Sequence, residues 1–208
     1  MSNILTQRWL VFAVALILVG YVTPWIVTAS AGTTLNAYDL AEWTSLHPDV
    51  RARTPSLFVT FCVRAMLLWS ALMIAGMQVL RLYRIVGIVT LAVASLPPIE
   101  FLTRFDDGNY LQQTAITIAL LVLSIGLIVW SGAPVLRRWL LPTTASIGLL
   151  GTLFSIVHGM VLMDRFDIGV APGIGVLLTI IGCLIVIVAT LRLPSRLRPY
   201  PDQGHVTV

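Results

Sequence analysis

The chain has 208 residues, 58% of them hydrophobic and 11% charged, with a mean hydropathy of +0.94 and a formal net charge of +4. Soluble domains carry roughly 25% charged residues, so a fold surrounded on all sides by water is excluded. The positive charge comes without a basic helix or an aromatic RNA-binding stripe, which argues against nucleic acid and for a membrane surface.

Six apolar stretches follow one another at 9–29, 57–80, 85–103, 111–131, 143–163 and 171–191. Each has about 20 residues, enough at 1.5 Å per residue to cross the hydrocarbon layer of roughly 30 Å as a helix. A helix is required because lipid offers backbone amides no partner. The expected fold is an all-α integral membrane protein, a single transmembrane domain over 1–208 whose six spans form three hairpins. The first stretch has features of a secretion signal, with Arg8 before the apolar run and Ala29-Ser30-Ala31 as a small-residue site. Its length is closer to a full span than to a signal core, so it is read as a retained helix.

After the first span, the outer loop 30–56 is the one substantial extramembrane element expected. Asn36 has the form of an N-cap, with Asp39 near the positive end of the helix dipole and His47-Pro48 as a stop. Leu35, Tyr38, Trp43 and Leu46 give this short helix apolar surface, so it should lie at the interface or cap the bundle. The stretch Leu35-Asn36-Ala37-Tyr38-Asp39-Leu40-Ala41-Glu42-Trp43-Thr44-Ser45-Leu46-His47-Pro48 resembles uncharacterised six-helix membrane proteins of filamentous phototrophic bacteria. The resemblance covers that stretch and the six-span layout. It implies no assigned activity and no catalytic residues, and such a companion to energy-converting machinery would fit an accessory subunit of a quinol-oxidising complex of the alternative complex III type, or of a photosynthetic assembly.

The second span carries Arg64 about two turns inside its outer end. The third contains Pro97-Pro98, which removes backbone donors and must disturb the helix just before Glu100. Arg104-Phe105-Asp106-Asp107-Gly108 is echoed by Arg165-Phe166-Asp167-Ile168-Gly169. Asp and Gly suit a tight outer turn, while Arg and Phe anchor it at the headgroups. The fifth span holds His158 and ends near Asp164. Gly148 and Gly151 in the fifth, with Gly173, Gly175 and Gly182 in the sixth, predict that these two helices approach closely. Cys62 and Cys183 fall at different depths, so no bridge is expected.

Charge gives the orientation. Arg8, Arg81, Arg84, Arg137, Arg138, Arg192, Arg196 and Arg198 lie on one side with Asp202 as their only acid, while the other eight acids lie opposite. By the positive-inside rule both termini are cytoplasmic, in a bacterial cytoplasmic (inner) membrane. Trp9, Tyr83, Trp130 and Trp139 mark the inner boundary, and Trp25, Tyr38, Trp43 and Tyr110 the outer one. Arg81, Arg84, Arg137, Arg138, Arg192, Arg196 and Arg198 should grip anionic headgroups, since a guanidinium forks onto phosphate.

An unpaired charge within a span costs about 3 kcal/mol or more, so each is a functional suspect. The candidates are Arg64, Glu100 and His158, with Asp164 at the rim. Glu100 or Asp164 is the expected partner of Arg64. Against a functional cluster, Glu100 and Arg104 could pair along one helix face, Arg64 could snorkel, and His158 could bond a carbonyl. Two imidazoles within the bundle are needed for a bis-histidine haem, and His47 and His205 lie outside it, so there is no haem motif. His158 is left as a candidate ligand for a chlorin or a hydrogen-bond partner for a quinone carbonyl. Neither a metal helix, a nucleophile elbow nor a phosphate loop occurs, so neither catalytic nor metal-binding residues are expected. The leading expectation is a non-catalytic accessory subunit packed against other membrane protein subunits. The alternatives are a small transporter or channel using Arg64, Glu100 and His158, or a quinone- or pigment-binding membrane protein.

Overall fold

The structure is a computed structural model that describes residues 2–28, 34–52, 55–129, 134–165 and 169–191. Along these residues run α1 (Ser2–Val22), β1 (Ile26–Thr28), β2 (Thr34–Leu35), α2 (Ala37–Leu46), α3 (Pro48–Ala52), α4 (Phe58–Gly76), α5 (Arg81–Ser95), a 3-10 turn (Ile99–Phe101), α6 (Gly108–Val129), α7 (Pro134–Asp164), β3 (Val170–Pro172) and α8 (Ile174–Leu191). Five of the helices have segments long and apolar enough to cross a membrane: Leu5–Val22, Phe58–Gly76, Gly108–Val129, Trp139–Asp164 and Ile174–Leu191.

The third predicted span is the one that differs. Pro97-Pro98 ends the helix at Ser95, with Leu96 extended, so α5 has 15 residues instead of a full span. At 1.5 Å per residue it reaches about 22 Å, short of the hydrocarbon thickness of roughly 30 Å. The first span also stops early, at Val22, because Pro24 cannot continue a helix. Trp25 was expected at the outer boundary. It lies just past the end of α1 and is fully buried, and its indole N–H donates to Gly20 O at 2.9 Å, closing the end of that helix.

The chain then turns extended through the β-branched run Ile26-Val27-Thr28, residues that suit a pleated strand. A three-stranded antiparallel sheet in the order β2-β1-β3 follows, with Ile26 opposite both Leu35 and Pro172. Pro172 is tolerated because β3 is an edge strand. The sequence reading had no strands, having assigned β1 to the first span and most of β3 to the sixth.

α4 is the central helix: 78% of it is buried, against 33% to 39% of the other four spans. α2, α5, α6 and α7 all pack on it, whereas α1 packs chiefly on α8, and α8 on α7. The three expected hairpins are therefore not the packing units, since α1 and α4 have other principal neighbours. Glycine explains this arrangement. A Cβ on Gly175 would lie 2.5 Å from Thr23 O and 2.6 Å from Gly20 O, and one on Gly182 would lie 2.7 Å from Ala13 O. The backbones of α1 and α8 touch there. Gly148 and Gly151 face α4 instead, towards Met66 Sδ at 3.4 Å and Cys62 O at 3.6 Å. The glycines of α7 and α8 thus make their tightest approaches to other helices, while the expected packing of α7 on α8 is also present, a Cβ on Gly148 lying 3.8 Å from Cys183 Sγ. Cys62 and Cys183 are both free thiols.

Candidate functional site

α2 lies across one end of α4. Asn36 Oδ1 accepts from Asp39 N at 3.0 Å, which is the expected N-cap, and His47 ends the helix before Pro48 opens α3. Ala37, Leu40, Ala41, Thr44 and Ser45 form its buried face. The hydroxyls of Thr44 and Thr60 meet at 3.0 Å, tying α2 to α4. Leu57, entering α4 with φ of 58°, is a left-handed residue without the freedom of glycine. Its side chain is buried with Val50 and Leu162, which offsets that strain of about 1–2 kcal/mol. This corner sets Glu42 over the first turns of α4.

The start of α6 arrives from the other side. Asp107 Oδ1 accepts from Asn109 N at 2.9 Å, capping the helix and fixing Asn109. Between the two lies Arg64, only 4% exposed and roughly 9 Å along α4 from its first residue. Its Nη2 donates to Glu42 Oε1 at 2.5 Å, and its Nη1 donates to Asn109 Oδ1 at 2.8 Å and Asn109 O at 3.2 Å. One guanidinium thus joins three helices. Glu42 keeps 32% of its side chain exposed, so the pair sits at a water edge rather than in a dry interior.

The expected partners of Arg64 are elsewhere. Glu100 is exposed in the 3-10 turn, because the helix that would have carried it inward ends at Ser95. For the same reason Glu100 and Arg104 share no helical face, and Arg104 is exposed in the following turn. Asp164 is exposed at the end of α7. His158 Nδ1 lies 3.0 Å from Phe154 O, and the two rings lie against each other with centroids 3.9 Å apart and planes tilted by 32°. A carbonyl only accepts, so Nδ1 carries a proton and Nε2 is the ring nitrogen left for another partner.

Glu42 and Asn109 were missed. Asn109 had a local signal, following Asp107-Gly108 at a helix start; Glu42 had none, because only the placement of α2 brings it to Arg64. Tyr38 on α2 is affected too: burial, then the Glu42 carboxylate, push its phenol above the ordinary range.

Two further pairs fasten the same end. Arg165 with Asp49, and Arg51 with Asp107 at 3.5 Å, are substantially exposed, so each contributes at most about 1 kcal/mol. At the opposite end Arg84 Nη1 donates to Ala75 O at 3.1 Å, completing the last turn of α4. Arg81, Trp9, Tyr83 and Trp139 are exposed there. The side chains of Arg137 and Arg138, and all of Arg192, Arg196, Arg198, Trp130 and Asp167, lie outside the described residues. Among the described residues no group of three or more His, Cys, Asp or Glu is placed to hold a metal ion. Comparison with protein-family models, with curated proteins and with solved structures returns no match to this chain.

Proposed function

We propose that this chain is a non-catalytic integral membrane subunit that packs against larger partners, with its α2 end facing away from the cytoplasm and both termini inside. The observation that carries this reading is the bonding of Arg64. Both terminal nitrogens of Arg64, the most buried charge among the described residues, are engaged by Glu42 and Asn109, so the group acts as a clamp between α2, α4 and α6. A transport pathway through Arg64, Glu100 and His158 loses its support, since neither of the other two bonds Arg64. The outward faces of α5, α6 and α8 are apolar, with Val86, Val89, Val122, Ile125, Leu177 and Leu184 exposed. They suit lipid or partner helices. A quinol-oxidising or photosynthetic assembly is the one to look for first, on the strength of the outer-loop resemblance.

Extraction in mild detergent followed by a native gel tests this. The chain should migrate with larger polypeptides, and a monodisperse monomer would overturn the subunit reading.

A second reading, binding of a quinol or a pigment, is favoured by one observation. An aromatic groove of about 320 Å³ between α4 and α7 is lined by Phe58, Phe61, Trp69 and Phe154, and the Phe154 ring lies against the His158 ring. Organic extraction of the purified chain should then release a chromophore or quinol that is lost in His158→Ala.

A further inference from the structure

Three polar atoms in and around Arg64 have no hydrogen-bond partner among the described residues: Tyr21 Oη, Arg64 Nε and Gln113 Oε1. Their residues are 7%, 4% and 2% exposed. They come from three helices, α1, α4 and α6, yet all three residues line one cavity of about 10 Å³, together with Tyr38 and Ser95. Leaving each such atom unpaired costs about 1–3 kcal/mol.

The neighbouring bonds fix what these atoms offer. Gln113 Nε2 donates to Leu96 O at 3.2 Å, and since a carbonyl can only accept, the unpartnered atom of that amide is the acceptor Oε1. The Tyr38 phenol is engaged with the same Gln113 side chain. Ser95 Oγ is already engaged with Ala92 O at 2.9 Å and Thr117 Oγ1 at 2.9 Å. The cavity therefore offers a donor that cannot accept, Arg64 Nε–H, an acceptor that cannot donate, Gln113 Oε1, and a phenol able to do either.

That set selects its ligand. An anion would face the Gln113 oxygen, beside a guanidinium whose charge Glu42 already balances. A cation would face the guanidinium. The occupant must be neutral, must accept from arginine and donate to glutamine, and must fit a volume with room for about one water. We propose that this cavity is a binding site for a single structural water that joins α1, α4 and α6 and completes the bonding of Arg64. The site stands independently of whether the chain has partners.

X-ray hydroxyl-radical footprinting of the full-length protein in isotopically labelled water tests it, because radicals formed from a bound water oxidise buried side chains beside it. Tyr21 should be oxidised several-fold faster than Trp25, which is fully buried with its indole N–H already bonded. In folded Gln113→Met, which removes the acceptor, Tyr21 oxidation should fall to the Trp25 level. Tyr21 oxidation no faster than that of Trp25 in the native protein would overturn the proposal. So would oxidation that persists unchanged in folded Gln113→Met, or that bromide suppresses, since bromide scavenges hydroxyl radicals in bulk solvent and suppression would show that they did not arise from an enclosed water. If Gln113→Met does not fold, the native comparison and the bromide arm still decide.

Discussion

The seam between α1 and α8 is built from glycine, with backbone against backbone at Gly20, Gly175 and Gly182, while the seam joining α2, α4 and α6 is built around a buried guanidinium. Lipid tails are as apolar as leucine, so burying apolar surface does not by itself pull helices together in a bilayer. Close packing and interhelical hydrogen bonds are what remain, and this bundle uses one at each seam. The first should be intolerant of added volume and indifferent to charge. The second should behave the opposite way.

The sharpest break in that comparison is Gly175→Leu. The atoms a side chain would meet are the backbone oxygens of Thr23 and Gly20, which cannot rotate aside. The expected loss is at or above the usual overpacking cost of about 3 kcal/mol, read as a lower unfolding midpoint in detergent. Next comes Glu42→Ala, which leaves Arg64 buried with Asn109 alone. Breaking a fully buried pair costs about 3–5 kcal/mol; because Glu42 is 32% exposed and water reaches the site, about 2 kcal/mol is expected here. Arg64→Met should cost less than Glu42→Ala, because it removes the buried charge and leaves its partner at the water edge. The reverse order would show that the cluster is not a desolvated clamp.

Smaller effects sharpen the picture of α2. Asn36→Ala removes the N-cap and should cost about 1 kcal/mol, seen as faster amide exchange over Ala37–Leu46. Tyr38 has the mildest role. Its phenol is held above the ordinary value of 10.0 in the fold, so the neutral form is the stabilising one. Its contribution is complete below about pH 10 and is lost as pH rises beyond it. The unfolding midpoint should decline in that alkaline range, and Tyr38→Phe should blunt the decline.

What could be read from the sequence was what is local. The apolar lengths of α1, α4, α6, α7 and α8, the Asn36 cap and the stop at Pro97-Pro98 all depend on residues within a turn or two. The partner of Arg64 was not legible, because Glu42 and Asn109 are 22 and 45 positions away and meet it only once α2 folds across α4. The glycines announced close contact but not with whom, since a small residue marks a face and carries no address. The sheet escaped because Ile26-Val27-Thr28 and Val170-Ala171-Pro172 are apolar enough to pass for the ends of neighbouring spans. Pro24 was the available cue that the first helix had already stopped.

The pairing of Ile26 with Pro172 has a consequence for biosynthesis. A ribosome delivers the chain in N-to-C order, so on the proposed membrane reading α1 enters the bilayer long before α8, which completes it, has been translated. Until then its glycine-bearing face must be held by lipid or by the insertion machinery. Closing so long a loop late adds an entropic delay, and a truncation that removes only the last helix should therefore leave the first one exposed to quality-control proteolysis.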